Sequence, residues 1–514
     1  MCPPNRPCLI FLAALWLAGC GGGGGSGMGS GGTPAPARGT LLQTAPELLS
    51  TVTTASLLLE LNLAQNQLLF SVSGAPTCDI LMYNIKYETV GGAGEPTTAS
   101  AALLVPTGFG ANCTGSRPLV LYAHGTTTDL KFNMANLQNT ETLSLAALFA
   151  TKGFVVVAPN YAGYDTSTLG YHPYLIADQE SKDMIDALAA ARTALPLASG
   201  LLTKDGGQLF ITGYSQGGYV AMATQRAMEA AGMKVTAAAP MSGPYALAAF
   251  VDAVFLGEVN GDAPVSSTLL LTAYQRVYGD IYASPTDVFE DRYATGIDSL
   301  LPTTTPRSQL YAEGKLPEFA LFSPTPPAPA FAADTPATSP ANLAEVFALG
   351  FGSNNLIRNS YRLSYLEDAQ SNPDGGWPTL TTGLAAASPA LPWRRALKVN
   401  DLRNWTPIAP VLLCGGDADP LVFWLNTALM QGYWTAHAPA SASISVLDLE
   451  SAAAANDPYA DFKNGFKVAK DLVAVAAIAQ GATDGGALAV AEVYHTTLVS
   501  PFCFAAVRSF FATH

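Results

Sequence analysis

The chain has 514 residues, of which 49% are hydrophobic and only 12% are charged, with 39 acidic side chains against 25 basic ones. A net charge of −14 argues against nucleic-acid binding, because the phosphates would be repelled rather than neutralised. The apolar fraction excludes a largely disordered chain, which has few apolar residues and much charge. The composition therefore predicts an acidic globular protein that is long enough to bury a large core.

The first twenty residues have the pattern of an export signal. Arg6 precedes an apolar run from Cys8 to Ala18, which is shorter than the ~20 residues that span a bilayer. The run ends in Leu17-Ala18-Gly19-Cys20, which resembles the bacterial lipobox, where the cysteine is lipidated after the preceding peptide is removed. We expect a lipoprotein signal over 1–19 and lipidation at Cys20, with an ordinary secretory signal as the alternative. By the same resemblance, the protein would be anchored to the outer membrane or cell surface, or released from it.

A glycine-rich segment follows the signal. Residues 21–32 contain nine glycines, which cannot form a packed core and predict a flexible tether. We assign residues 20–40 to the lipidated cysteine and this tether.

Four cysteines remain beyond the tether, an even number in an exported protein. Their spacing matches no zinc pattern, and we expect no metal site. Cys78 and Cys113 would close one disulfide, and Cys414 and Cys503 a second. Free buried thiols are the alternative, because sequence alone does not fix disulfide connectivity.

Apolar runs of strand length alternate with helical stretches beyond the tether, which is the pattern of a mainly parallel sheet. Helical periodicity is clear at Asp178–Leu195, at Gln216–Ala231 and at Pro501–Phe511. The first two strands should be antiparallel, because only a short turn at Gly91–Gly94 separates them. We predict eight strands, at Ile80–Val90, Ala99–Val105, Pro118–His124, Phe154–Pro159, Gln208–Gly213, Val235–Met241, Pro410–Gly415 and Ser443–Leu449.

The alternation of strands and helices breaks once, between residues 241 and 410. This stretch has nine prolines from Pro302 to Pro340 and is too long for a loop inside a compact domain. Apolar residues such as Phe347 argue against a disordered insertion. We therefore divide the chain into a first sheet segment over 41–242, an inserted and mostly helical cap over 243–400, and a second sheet segment over 401–514.

A Gly-x-Ser-x-Gly motif suggests the chemistry. The predicted strand Gln208–Gly213 runs into Gly213-Tyr214-Ser215-Gln216-Gly217, and a helical pattern follows. Strand before and helix after are the context of a nucleophile elbow, where a sharp turn projects the serine Oγ above the sheet. The pentapeptide alone would be a weak signal, but this context predicts Ser215 as a nucleophile.

Chain order selects the base and the acid. In α/β-hydrolases the order is serine, acid and histidine, with the histidine on a loop before the final helix. Of the five histidines, only His495 fits this order well. The acid should follow a strand between the two, and Asp419 matches the Gly-x-x-Asp-x-x-Val spacing of Gly416 to Val422. Asp417 remains the alternative, and is more simply a turn residue whose side chain caps its own backbone.

These three residues would act as a triad. Ser215 would attack an acyl carbonyl, His495 would carry the proton, and Asp419 would hold the imidazole in the useful tautomer. The backbone N–H of Gln216 is the first predicted donor of an oxyanion hole. The loop after the third strand supplies the second donor, for which we choose Thr126, with Thr127 as the alternative.

Further motifs resemble the secretory lipase group of α/β-hydrolases. They are Asn160-Tyr161-Ala162-Gly163-Tyr164, His172-Pro173-Tyr174-Leu175, the Tyr-Ser-Gln elbow and the large cap between the sheet halves. The resemblance spans roughly 75–242 and 405–511. It implies a mostly parallel eight-stranded sheet with helices on both faces, carboxylic ester hydrolysis without a cofactor, and a lid over an acyl-binding cleft. His172 itself is interpreted as a structural loop residue.

Three functions compete. The first is a monomeric lipase or esterase that acts through an acyl-enzyme on a lipid, a small ester or a polyester. The second is a serine peptidase of the same fold, although the cap lacks an evident charged cluster to anchor a peptide terminus. The third is an inactive binding module, against which the ordered set of Ser215, Asp419 and His495 argues.

Overall fold

A nine-stranded mixed sheet organises the computed structural model, which describes residues 37–198, 202–375 and 383–514. The predicted signal over 1–19, the lipidation site Cys20 and most of the tether lie outside these described residues. The strands are β1 (Glu47–Val52), β2 (Asp79–Val90), β3 (Pro96–Thr107), β4 (Gly115–Ala123), β5 (Val155–Pro159), β6 (Thr203–Tyr214), β7 (Ala237–Met241), β8 (Val411–Gly415) and β9 (Ile444–Asp448).

The strand order across the sheet is β1-β2-β3-β5-β4-β6-β7-β8-β9. The pairs β1/β2, β2/β3 and β3/β5 are antiparallel, and every later pair is parallel. The predicted antiparallel pairing of the first two predicted strands is thus confirmed, as is the mostly parallel sheet. The predicted count of eight is wrong by one, because it omits β1. Only Val52 of this short edge strand is buried, so the strand lacks the apolar run by which the others are recognised.

Sixteen α-helices are assigned in the described part of the chain. The first sheet segment carries α1 (Thr54–Leu61), α2 (Gln67–Ser73), α3 (Thr140–Leu148), α4 (Ala177–Ala194) and α5 (Gln216–Ala230). Residues 243–400 carry α6 (Leu247–Phe255), α7 (Ala263–Tyr278), α8 (Asp291–Ala294), α9 (Arg307–Ala312), α10 (Ala344–Leu349), α11 (Asn359–Ser371) and α12 (Pro392–Asn400). The second sheet segment carries α13 (Leu425–His437), α14 (Ala460–Ala479), α15 (Ala487–Val493) and α16 (Ser500–Phe511).

Helices cover both faces of the sheet because successive strand residues point to opposite sides. Leu121 of β4 and Ile211 of β6 pack in one core with residues of α4 and α5. Their neighbours Val120 and Phe210 pack in a second core with residues of α3 and α16. Burial on both faces explains why the central strands are nearly continuous apolar runs.

The described part of residues 243–400 adds helices and no strand to the sheet. A buried ion-pair cluster holds these helices together: Arg394 contacts Asp252 at 2.9 Å and Asp368 at 3.1 Å. The proline-rich stretch packs against this assembly through buried side chains such as Phe322 and Phe331. The apolar core of the cap is continuous with the core on one face of the sheet.

Two disulfides join distant parts of the described chain. Cys78 is bonded to Cys113, and Cys414 of β8 is bonded to Cys503 of α16. The second bond spans 89 residues of sequence and ties the last helix to β8, the strand beside the edge strand β9.

The helical run Ala487–Phe511 is long and apolar enough to cross a membrane by length and composition alone. However, 61% of its most apolar window is buried inside the protein, which is the behaviour of a core helix.

Candidate active site

Ser215 lies on a sharp turn between β6 and α5. Its φ of 61° and ψ of −124° are unfavourable for a residue with a Cβ, and such strain costs about 1–3 kcal/mol. Glycines on either side make the turn possible: a Cβ at Gly213 would lie 2.2 Å from the Gly217 oxygen, and one at Gly217 would lie 1.9 Å from the Ala123 oxygen. The Gly-x-Ser-x-Gly pattern therefore reflects close backbone contact between β6, α5 and β4.

His495 and Asp419 form a buried pair beside this turn. The distance from His495 Nδ1 to Asp419 Oδ2 is 2.6 Å, and the two residues are 4% and 2% exposed. Asp419 Oδ1 accepts hydrogen bonds from the backbone N–H groups of Leu421 at 2.9 Å and Val422 at 3.0 Å. Because a carboxylate only accepts, His495 Nδ1 is the donor in this contact, and in the neutral imidazole the lone pair is then on Nε2.

Nε2 of His495 has no hydrogen-bond partner in the described part of the chain. His495 lines the same cavity as Ser215. An unpartnered imidazole nitrogen on a residue that lines a cavity can exchange a proton with a group bound there.

The structure places the two candidate acids differently. Asp417 is exposed, and its backbone N–H donates to Asp448 Oδ1 at 3.0 Å. In the described residues its side chain accepts no hydrogen bond from a backbone group. The interpretation that the Asp417 side chain caps its own backbone is therefore wrong. Only Asp419 of the two contacts His495.

The backbone around His495 also differs from the expected loop. His495 lies in a π-helical turn, Tyr494–Val499, between α15 and α16. Tyr214, the residue before Ser215, donates from its hydroxyl to the backbone oxygen of His495. This hydrogen bond links the elbow to the turn that carries the histidine, which no sequence pattern indicates.

Gln216 and Thr126, the two predicted oxyanion donors, both line the cavity that holds Ser215 and His495. Among the described residues, neither backbone N–H donates to a protein acceptor. Thr127, the alternative, lines a neighbouring cavity of about 340 Å³ rather than the main one. The placement therefore favours Thr126 over Thr127.

Glu141 at the start of α3 is a site residue that sequence reasoning missed. Its carboxylate accepts from the backbone N–H of Gly125 at 3.1 and 3.2 Å and from the hydroxyl of Tyr122. Burial raises the pKa of Glu141 to about 6, although both hydrogen bonds oppose that rise. The contact fixes the loop that carries Thr126, and only the folded chain brings α3 beneath it.

The other histidines are not suited to act as the base. His124 and His172 are buried against backbone oxygens, and burial lowers the pKa of His124 to about 3 and that of His172 to about 4. Of the five histidines, all within the described residues, only His495 lines the main cavity.

The main cavity has a volume of about 780 Å³. Its polar lining residues include Ser215 and the ion pair of Arg307 and Asp262, which are 2.7 Å apart. The remaining wall is mainly apolar and comes largely from the cap, with Leu247, Phe250, Val254, Leu270, Leu349 and Trp393 among its residues.

No group of three or more His, Cys, Asp or Glu side chains suited to a metal ion occurs in the described residues.

Comparison with known proteins found one family model and several solved structures that are similar to this chain. A family model described as the prolyl oligopeptidase family matches residues 141–246, which include Ser215 but neither Asp419 nor His495. No curated protein matches the chain.

Two similar solved structures are forms of the rice cell wall degrading esterase LipA from Xanthomonas oryzae. One is 26% identical, covers 80% of this chain and 91% of that chain, and has a TM-score of 0.61. A mutant form of the same esterase is 25% identical, covers 93% of this chain and 99% of that chain, and has a TM-score of 0.65. A structure from Legionella pneumophila is 17% identical, covers 92% and 97% of the two chains with a TM-score of 0.60, and shows the fold alone. The near-complete coverage shows that the similarity extends through the cap.

Proposed function

We propose that this chain, a lipase-like protein of the α/β-hydrolase fold, is a serine hydrolase that cleaves carboxylic esters. The single observation that carries the proposal is the cavity, where the strained Ser215 and the unpartnered Nε2 of His495 meet a largely apolar wall. The esterase similarity over most of the chain supports the same reaction class.

In the acylation step, Ser215 Oγ forms a bond to the acyl carbon as its proton passes to His495 Nε2. The carbonyl π electrons move onto oxygen, and the resulting oxyanion accepts from the N–H groups of Gln216 and Thr126. When the tetrahedral intermediate collapses, the bond to the alcohol oxygen breaks. The leaving alkoxide takes the proton from Nε2, and the acyl group stays on Ser215.

Water completes the reaction in the deacylation step. Nε2 accepts a proton from the water as the water oxygen attacks the acyl carbon. Collapse of this second intermediate returns the proton to Ser215 Oγ and releases the carboxylic acid. Throughout, Asp419 stabilises the imidazolium from the Nδ1 side, at the 2.6 Å contact.

The apolar wall supports an acyl group as the part of the substrate that enters the main cavity. Burying apolar surface yields roughly 25 cal/mol per Å², so each methylene buried against the cap strengthens binding. The cap would then hold the acyl chain while the ester carbonyl lies beside Ser215.

A series of p-nitrophenyl esters that differ only in acyl length tests the proposal. Wild-type protein should hydrolyse at least one ester, and Ser215→Ala should reduce kcat by about 10⁶-fold without loss of folding. Ser144→Ala is a matched control, because Ser144 also lines the cavity but is on α3 and not in the Gly-x-Ser-x-Gly motif. A folded wild-type protein with no esterase activity, or a Ser215→Ala variant that keeps most of it, would refute the proposal.

Peptide hydrolysis is a second candidate, which the family-model match favours. The matched segment covers the elbow and the adjoining core, whereas the similarity to the esterase continues through the cap. A chromogenic peptide assayed beside the esters distinguishes the two: a kcat/KM for the peptide above that for every ester would favour the peptidase.

We also propose that the protein is exported and lipid-anchored through Cys20, and that it acts as a monomer at the outer membrane or cell surface. Two disulfides are typical of proteins that fold in an oxidising compartment. Metabolic labelling with a fatty-acid analogue should mark the wild-type protein and not Cys20→Ala. Equal labelling of both would exclude lipidation at this cysteine.

A further inference from the structure

One tyrosine-rich stretch contacts both sides of the predicted oxyanion hole. We call residues 161–180 the tyrosine segment. On the side of Thr126, Tyr164 donates from its hydroxyl to the backbone oxygen of Thr127 at 2.7 Å. The hydroxyl of Tyr174 lies 2.8 Å from Thr126 Oγ1, within hydrogen-bond distance. The tyrosine segment thus contacts the loop of the second donor at two points, the backbone oxygen of Thr127 and the side chain of Thr126.

The same segment holds Gln216, the residue of the first donor. Gln216 is 1% exposed, and its Nε2 donates to Glu180 Oε1 at 2.7 Å and to His172 Nε2 at 2.7 Å. Nδ1 of His172 donates to the backbone oxygen of Ala162 at 3.0 Å, which leaves Nε2 as the acceptor. Both hydrogens of the Gln216 amide are therefore used inside the segment.

Two stretches of the tyrosine segment, residues 161–164 and 172–176, are buried. Tyr161 and Leu175 have φ values of 63° and 54°, an uncommon conformation for residues with a Cβ that the surrounding packing must hold. The His172 ring stacks on Tyr161 with centroids 5.5 Å apart and lies 4.7 Å from the ring of Tyr164. The stacked rings connect the contacts on the Thr126 side with those on the Gln216 side.

We propose that Tyr164, His172 and Glu180 are positioning residues that set the distance and direction of the two backbone donors of the oxyanion hole. The inference rests on the proposed function. Its physical basis is that such donors act at 2.7–3.1 Å from the oxyanion, and that errors of about 0.5 Å weaken the transition state more than the bound substrate. None of the three residues lines the main cavity, so none contacts the substrate directly.

Two single substitutions test the two sides separately. Tyr164→Phe removes the hydrogen bond to the Thr127 backbone oxygen and keeps the aromatic ring. His172→Phe removes the hydrogen bond from Gln216 and keeps an aromatic ring stacked on Tyr161. The matched control is Tyr293→Phe, which removes a similar bond of 2.8 Å from a buried cap tyrosine to the backbone oxygen of Asn354. Tyr293 does not line the main cavity.

Kinetics on the best ester should separate positioning from stability. Tyr164→Phe and His172→Phe should each lower kcat by about tenfold with KM within about twofold, whereas Tyr293→Phe should leave both constants near the wild-type values. The affinity for a trifluoromethyl ketone, whose adduct with Ser215 carries an oxyanion, should fall by the same factor as kcat. A loss of thermal stability alone would change neither the kcat nor the trifluoromethyl ketone affinity of the protein that remains folded.

A pair of substitutions at Glu180, one conservative and one that removes the acceptor, provides a second test of the positioning role. Glu180 accepts hydrogen bonds from Gln216 Nε2 and, at 3.2 Å, from the backbone N–H of Leu175. Glu180→Gln keeps an oxygen that can accept both, so its kcat should remain close to that of the wild type. Glu180→Leu has a similar size and no acceptor, so its kcat should fall by about tenfold.

The outcomes are distinguishable from failure of the proposed function. If wild-type protein hydrolyses no ester, the proposed function fails first. If it does, and if Tyr164→Phe, His172→Phe and Glu180→Leu keep wild-type kcat and trifluoromethyl ketone affinity, the positioning role is excluded. A rise in KM with unchanged kcat would also exclude it, because it would indicate a role in substrate binding.

Discussion

At the scale of single residues, the sequence predicts the three triad residues but not the residues that hold them and the oxyanion donors in place. Ser215, Asp419 and His495 could be selected because a motif and chain order constrain them. Glu141 and Tyr164 could not, because each acts on a backbone group that only the folded chain brings close. The sequence alone gives His172 no role beyond that of a loop residue, since its link to Gln216 crosses 44 residues of sequence.

The choice between two acids can be tested by substitution. Asp419→Asn should lower kcat by about 10⁴-fold, because the amide would favour the wrong imidazole tautomer. Asp417→Asn should change kcat by less than about twofold, since Asp417 is exposed and its side chain has no hydrogen-bond or ion-pair partner in the described residues. Ester hydrolysis rates of the two purified variants give the answer, and the reverse ranking would exclude Asp419 as the acid.

Glu180 should make stability depend on pH. Burial raises its pKa to about 8 from an ordinary 4.5, so the folded chain keeps a proton that the unfolded chain releases. Between about pH 5 and about pH 8, rising pH therefore favours the unfolded state, and the free energy of unfolding should fall. Urea unfolding at both pH values should show a smaller fall for Glu180→Gln than for the wild type; an equal fall would mean that Glu180 does not titrate in this range.

At the scale of elements, the strands β2 to β9 could be predicted from the sequence, and the edge strand β1 could not. The eight predicted strands match β2 to β9 within a few residues at each end, because each contains a continuous apolar run. β1 is missing from the prediction, since it is stabilised mainly by antiparallel pairing with β2 rather than by an apolar face of its own. The π-helical turn at His495 could not be predicted either, because no sequence pattern distinguishes such a short turn from a loop before the final helix.

The disulfide between β8 and α16 should stabilise the second sheet segment. It closes a loop of 89 residues, and removal of such a cross-link costs about 2–5 kcal/mol. The double variant Cys414→Ala/Cys503→Ala should therefore unfold at lower urea concentration than wild type. Cys78→Ala/Cys113→Ala, which opens a loop of 35 residues, is the comparison, and its loss should be smaller. A larger loss for the shorter loop would contradict the chain-entropy explanation.

At the scale of the whole molecule, the low charge and high apolar content have two sources in the described chain. One is the sheet buried between helical layers, and the other is the cavity wall that the cap contributes. The cap could be located from the break in strand–helix alternation. Its contribution to the cavity that Ser215 and His495 line could not be predicted, because no motif in 243–400 fixes how its helices pack.

If the cap wall accepts the acyl chain, narrowing it should change chain-length preference. Val254 of α6 is 6% exposed and lines the cavity, so Val254→Trp should lower kcat/KM for a dodecanoate ester at least about tenfold more than for a butanoate ester. Val399→Trp on α12 is the control, because Val399 is 63% exposed and does not line the cavity. Equal losses on both esters would place the acyl chain elsewhere.

The identity of the nucleophile can be measured most directly with an alkyl fluorophosphonate. This reagent forms a stable bond with an activated serine and loses fluoride, and peptide mapping locates the added mass. The adduct should form on Ser215 in the wild type, form much more slowly in His495→Ala, and be absent in Ser215→Ala. An adduct on another serine, or equal labelling of wild type and Ser215→Ala, would contradict the assignment of Ser215 as the nucleophile.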